Sequence, residues 1–201
     1  GGRTYIAVAG GIAGDRWLGS FSTNLLVARG GMHGRQLVAG DVIAAVGEPS
    51  TPAIAGRHLA EHQRPDYGNH ALPSIPGPHV KRLSAEGRRA LFGSSFKVSR
   101  DADRMGYRLE GPALDAPGEE LLSFGLTAGA IQVPRSGQPI LLMADHQTAG
   151  GYPVVAVVVS AAMPVAAQLL PGDELSFADV SVEAALQMRA DQRAALDSLM
   201  S

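Results

Sequence analysis

Apolar, β-branched runs bounded by glycine or proline recur along the chain, at residues 5–9, 42–46, 130–133, 140–144, 154–159 and 175–178. Runs of that length and composition predict strands. The polar stretch 135–139, with its glycine and proline, lies between two of them as a hairpin loop would. Helical signals are fewer: residues 85–92 after Ser84, residues 164–170, and residues 182–199 with Ser181 as a fitting N-cap. The pattern predicts a mostly β fold with a few helices.

Residues 48–78 interrupt this pattern with six prolines and three of the six histidines, which predicts a linker or long loop. A short echo joins LVAGDVI (37–43) to LLPGDEL (169–175), each a Gly-Asp turn entering a strand. It fits two related β domains on either side of the linker. The expected division is therefore 1–47, 48–78 and 79–201, the last carrying the C-terminal helix.

Composition narrows the function classes. The 201 residues are enough to bury a sizeable core, and 25 Gly with 13 Pro fit many short elements joined by turns. No cysteine is present, so disulfides, thiolate metal sites and thiol nucleophiles are excluded, as suits a cytoplasmic protein. Formal charge is -2 without long runs of either sign, which leaves nucleic acid without an electrostatic handle. The uncharged stretch 150–172 contains Pro153, Pro164 and the β-branched run Val157-Val158-Val159. That argues for a buried strand followed by a core helix and against a membrane span.

Several short motifs carry chemistry only in the right context. HLAEH (58–62) matches the inverted zinc-protease pattern, but the Pro-rich surroundings leave barely two helical turns for it. GGIAG (10–14) follows a predicted strand without the GxGxxG spacing, and reads as a structural turn. No GxSxG or Walker-type motif occurs.

The segment from Asp101 to Tyr152 is more informative. Arg104 and Arg108 stand four apart around Gly106, placed either to converge on a carboxylate or to pair on the surface with Asp101, Asp103 or Glu110. Gln132 sets one amide in an apolar strand. Asp145, His146, Gln147 and Thr148 cluster just after another, followed by Gly150 and Gly151. Two glutamine amides suit an amide, urea or lactam, and glycine backbone N–H groups suit a developing oxyanion. Asp145 fits a base or an orienting group, and a polar structural turn accounts for the same residues.

DRMGYRLEGP (103–112), GAIQVP (129–134), SGQPILLMAD (136–145) and QTAGGYP (147–153) together resemble the carboxyltransferase-like family that includes the C subunit of 5-oxoprolinase, KipA and allophanate hydrolase subunit 2. YIAVAGGI (5–12), GSFST (19–23) and AGDVI (39–43) resemble its middle portion, in the same order. The resemblance implies two cyclophilin-like β-barrel domains. The first would be incomplete here, because members carry about a further hundred residues before the position of Gly1, an amount comparable to a small domain. The chain departs from the family at Phe21, where arginine is frequent, at His146, where arginine is usual, and at Phe124, where glutamate is frequent.

What the resemblance implies about function is one subunit of a hydrolase or carboxyltransferase that works only with its partners. The leading expectation is ATP-dependent conversion of 5-oxoproline to glutamate. The expected partners are a KipI-like protein, of the kind that forms the B subunit of 5-oxoprolinase, and the A subunit of that enzyme. Arg104 and Arg108 would hold the carboxylate. Gln132, Gln138, Thr148 and Tyr152 would bind the rest of the substrate, and Asp145, Gln147, Gly150 and Gly151 would serve the chemistry. No cofactor is expected on this chain: ATP or biotin would come through partner subunits, and no Met-Lys-Met biotin attachment sequence occurs. The alternatives are a biotin-dependent carboxyltransferase of the urea carboxylase type and a KipA-type regulator that sequesters a KipI-like kinase inhibitor.

Overall fold

The computed structural model describes residues 2–47, 56–116 and 121–199. They fall into two compact units, one comprising Gly1–Arg3 with His58–Ser201 and the other Thr4–Arg57. The larger unit contains nine strands among the described residues: β1 (Ala71–Pro76), β2 (Ser95–Val98), β3 (Gly106–Glu110), β4 (Phe124–Gly125), β5 (Ala130–Gln132), β6 (Ile140–Leu142), β7 (Ala149–Gly150), β8 (Val154–Val158) and β9 (Glu174–Asp179). Its helices are α1 (Ala85–Gly93), α2 (Met163–Ala166) and α3 (Val182–Asp197).

Seven strands close into a barrel in the order β1-β8-β5-β6-β3-β2-β9. All neighbours are antiparallel except β1 and β9, whose parallel pairing closes the ring. The mostly β expectation with a few helices therefore holds, and all four predicted strands beyond residue 130 form.

Alternation decides which face each strand buries. Leu72, Phe96, Val98, Tyr107, Leu109, Leu175 and Phe177 point into one core, where the rings of Phe96 and Phe177 lie 5.7 Å apart. β5 and β8 are buried on both faces, consistent with the unbroken apolar sequence of β8 and with Ala130 and Ile131 of β5. The outer faces of β5, β6 and β8 carry a small second cluster, Ala130, Leu142 and Val154, against which Phe124 and Leu126 pack. Phe124 belongs to a separate two-stranded ribbon of β4 and β7, laid over the outside of the barrel.

The helix signals are realised through their caps. Ser84 Oγ accepts the Gly87 N–H at 3.0 Å, and Ser181 Oγ accepts that of Ala184 at 3.2 Å. The helix expected over 164–170 is shorter, a 3-10 turn (Ser160–Ala162) running into α2. Gln168, just beyond α2, instead meets the chain start: its Oε1 accepts the Arg3 N–H and its Nε2 donates to the Arg3 carbonyl.

Two further sequence expectations differ from the structure. Residues 5–9 and 42–46 form no strands; the described residues of the smaller unit hold only isolated bridges such as Ile12–Ala45 and Asp15–Gly31. A strand needs a paired neighbour and a covered face, and here Tyr5, Ile6 and Val42 are largely exposed. Within the Pro-rich stretch 48–78, Ala71–Pro76 forms β1, while residues 48–55 lie outside the described residues. β1 tolerates its prolines because Pro73 contributes its carbonyl, accepting the Val159 N–H at 2.9 Å, and Pro76 ends the strand. The HLAEH segment makes one 3-10 turn (Glu61–Gln63) and not a helix that could align two histidines. Among the described residues no His, Asp and Glu cluster suits a metal, and no helix is long and apolar enough to cross a membrane.

Candidate functional site

On the outer wall of the barrel, register places Arg108 (β3) opposite Ile140 (β6), and Ile140 opposite Gln132 (β5). Three side chains thus form one row across three strands. With strands spaced about 4.8 Å apart, the outer two backbones are on the order of 10 Å apart. The next row sets Gly106 opposite Leu142. These rows floor a cleft of about 310 Å³, whose walls include Asp101, Asp103, Ser136, Gln147 and Tyr152.

Gln132 dominates the chemistry of this floor. It is 1% exposed, and with Ser74 it makes up the buried polar side chains among the described residues. Its Nε2 donates one long hydrogen bond, 3.4 Å, to the Tyr152 carbonyl. An amide carries two donor hydrogens and an oxygen with two lone pairs, so this bond leaves most of its capacity to a ligand. Burying such a group is costly unless it is paired. Gln147 reaches the same place from the loop after β6. A Cβ on Gly150 would lie 3.3 Å from Gln147 Nε2 and 3.4 Å from Gln132 Nε2, so the two amides converge over this glycine.

The other candidates divide. Arg108 and Tyr152 line the cleft with the two glutamines. Arg104 does not line it: its Nε and Nη2 donate to the Asp145 carboxylate at 2.6 and 3.0 Å, in an exposed bidentate pair. The backbone repeats this link, because the Asp145 N–H donates to the Arg104 carbonyl at 2.8 Å. The loop leading to Gln147 is thereby strapped to the turn before β3. Hydrogen bonding from Arg104 holds the Asp145 carboxyl below its ordinary value; partial burial opposes the shift, and the Arg104 and Arg3 charges add to it. A carboxylate so stabilised is ionised at neutral pH and a weak proton acceptor, which suits holding Arg104 better than moving protons.

Gln138 faces elsewhere, its Oε1 accepting the Gly111 N–H and its Nε2 donating to the Gly111 carbonyl, both at 3.2 Å. Thr148 is exposed, and its carbonyl accepts the Leu126 N–H at 2.9 Å. Gly150 lies opposite Phe124 in the β4–β7 ribbon, and Gly151 is pressed against the Leu121 carbonyl. His146 Nδ1 lies 2.7 Å from the Gln147 carbonyl. Phe124 covers the outer apolar cluster, so an aromatic ring there serves packing.

In the sequence Asp101 and Asp103 stand only as ion-pair partners for the arginines, and Ser136 only as part of a hairpin loop. Their places in the cleft follow from the barrel's closure, which brings the turns before β3 and after β5 together. Asp103 Oδ1 also accepts the N–H groups of Met105 and Gly106, at 2.8 and 3.1 Å, which shapes the turn entering β3.

Comparison with known proteins places this architecture. Over 198 residues the chain is 38% identical to the C subunit of 5-oxoprolinase from Escherichia coli strain K12, covering 98% of this chain and 62% of that protein. It is 31% identical over 224 residues to the urea amidolyase of Lachancea kluyveri, covering 98% of this chain and 12% of that protein. The crystal structure of K. lactis urea amidolyase superposes with a TM-score of 0.83 at 26% identity, over 94% of this chain and 13% of that one. The chain thus spans about three fifths of the 5-oxoprolinase relative's length. Residues 1–179 match the family described as carboxyltransferase domain, subdomain A and B, and the chain belongs to that family.

Proposed function

We propose that the chain is part of the C subunit of an ATP-dependent 5-oxoprolinase-type enzyme, and that the outer-wall cleft binds 5-oxoproline for conversion to glutamate. The observation that carries this reading is the buried, under-used amide of Gln132, set in one row with Ile140 and Arg108. 5-Oxoproline is a ring with a lactam at one side and a carboxylate at the other. Gln132 and Gln147 pair with the lactam N–H and carbonyl, Ile140 supports the ring's methylenes, and Arg108 takes the carboxylate through its planar fork. The cleft's size lies at the lower end of the small-molecule range. Its charged lining is two aspartates and one arginine, which does not fit a triphosphate. Partner subunits therefore hold ATP, and no step is assigned to it on this chain.

Arg104 and Asp145 support the loop that delivers Gln147, and Gly150 with Gly151 border the reacting carbonyl. The similarity to 5-oxoprolinase supports the substrate, and the relatives' designation as one lettered component of that enzyme supports dependence on A and B partners. A second reading, carboxyl transfer from biotin to urea, is favoured by the superposition on urea amidolyase. The same two amides would hold urea, with carboxybiotin brought by another domain.

The test is reconstitution of the full-length protein with its A and B partners, followed by assay of glutamate release from 5-oxoproline with ATP. Turnover that requires this protein is expected. No turnover of 5-oxoproline, together with transfer of the carboxyl group of carboxybiotin to urea, giving biotin and N-carboxyurea, would select the second reading.

A further inference from the structure

Neither His79 nor Phe124 lines the cleft, yet the two rings connect the barrel to the ribbon above it. The chain reaches His79 pressed against β8. A Cβ on Gly77 would lie 2.5 Å from the Val154 carbonyl oxygen and 2.8 Å from the Val155 carbonyl carbon, so only glycine fits there. The His79 N–H then donates to the Val154 carbonyl at 3.0 Å, and the Val154 N–H donates to His79 Nδ1 at 3.1 Å. One histidine thus satisfies both backbone groups of the residue that begins β8. A ring nitrogen that accepts an N–H presents a lone pair, so Nε2 carries the proton in this geometry.

Held this way, the His79 ring packs on Phe124 with centroids 4.9 Å apart and planes tilted by 45°. Phe124 rests on Ala130, Leu142 and Val154 and lies opposite Gly150 across the ribbon. Gly150 in turn borders both amides, at the 3.3 and 3.4 Å given above. We propose that His79 is a positioning residue: through Phe124 it seats the β4–β7 ribbon on the barrel and so sets the spacing of the Gln147 and Gln132 amides. Its bearing on turnover rests on the reading of the cleft as the 5-oxoproline site; the seating of the ribbon does not.

Three substitutions separate the contacts. His79→Ala removes ring and acceptor, His79→Phe keeps a ring without the acceptor, and His79→Asn keeps a short acceptor without the ring. Hydrogen–deuterium exchange of the full-length protein in its complex reads ribbon seating without substrate. In His79→Ala, exchange over residues 124–126 and 148–150 is expected to quicken about tenfold while β2, β3 and β9 stay protected. KM for 5-oxoproline should rise roughly tenfold, with kcat within about twofold of wild type. His79→Phe should recover most of both effects and His79→Asn little of either.

Unchanged ribbon exchange in a folded His79→Ala protein overturns the proposal, as does a His79→Phe variant no better than alanine. Should His79→Ala fail to fold, Phe124→Leu, which keeps the apolar cover and removes the ring contact, is read by the same exchange criterion. A loosened ribbon in a complex that never turns over 5-oxoproline sinks the substrate reading and leaves the positioning role standing.

Discussion

The adjacent glycines Gly150 and Gly151 should respond in opposite ways to the same methyl group. An alanine Cβ at position 150 would sit 3.0 Å from Leu126 Cδ1, 3.3 Å from Gln147 Nε2 and 3.4 Å from Gln132 Nε2. All three neighbours are ends of side chains, and Gly150 is not among the residues with positive φ, so the backbone accepts the substitution. Gln132 is buried and cannot retreat, whereas Gln147 is exposed and can swing out. The methyl therefore displaces Gln147 at little cost to the fold. One lost hydrogen bond to the substrate amide is worth about 0.5 to 1.5 kcal/mol, hence roughly twofold to tenfold in kcat/KM. At position 151 the nearest atom is the Leu121 carbonyl oxygen, 2.9 Å away, which is backbone and cannot rotate aside. Overpacking of that kind costs about 1 to 3 kcal/mol, or on the order of 2 to 12 °C in Tm for a chain of this size. Steady-state kinetics of the reconstituted complex with melting curves of each variant decide the matter. Wild-type kinetics for Gly150→Ala with an unchanged Tm would refute the assignment of the converging amides to substrate.

Arg108→Lys should lower kcat/KM about tenfold to a hundredfold by removing the planar fork, whereas Arg104→Lys should lower it only a few-fold, in the same kinetic assay. The Arg104–Asp145 pair is exposed, so its loss should cost at most about 1 kcal/mol of stability at neutral pH. Because the Asp145 carboxyl titrates below its ordinary value, the pair's contribution is present above about pH 3.9 and is lost as pH falls through the lowered folded value. The Tm difference between wild type and Arg104→Lys should accordingly shrink below about pH 4 in acid melts. Ser84→Ala removes the acceptor that caps α1, and should cost about 1 kcal/mol, read as a Tm lower by roughly 2 to 4 °C with KM unchanged.

The barrel was legible where local sequence sufficed. Val154–Val158 and Ile140–Leu142 are apolar on consecutive positions, the mark of strands covered on both sides, and Ser84 and Ser181 mark their helices through side-chain caps that depend on neighbours a few residues away. β1 was hidden because the prolines that label a linker are tolerated when a strand uses their carbonyls, as Pro73 does toward Val159. That partner lies far along the chain, beyond the reach of any local pattern. Residues 5–9 and 42–46 show the converse: the strand composition is present, but a ladder with a covered face is not.

The same distinction governs the site. Gln132 stood out because a polar residue in an apolar strand conflicts with its surroundings, and such conflicts concentrate where a protein binds something. Arg104 and Arg108 could not be told apart by spacing, since both flank one glycine. The barrel separates them by register: Arg108 falls in the row of Ile140 and Gln132, while Arg104, in the turn before the strand, meets the loop after β6 and finds Asp145. An arginine already gripping one carboxylate through Nε and Nη2 has fewer N–H groups left for another. On the proposed reading, an arginine beside an amide across an apolar floor takes the carboxylate of a molecule whose lactam meets the amide. Exchanging the arginines' roles, so that Arg104→Lys cripples turnover and Arg108→Lys spares it, would show that the pair with Asp145 opens on binding and that the row on the barrel wall is not where the substrate lies.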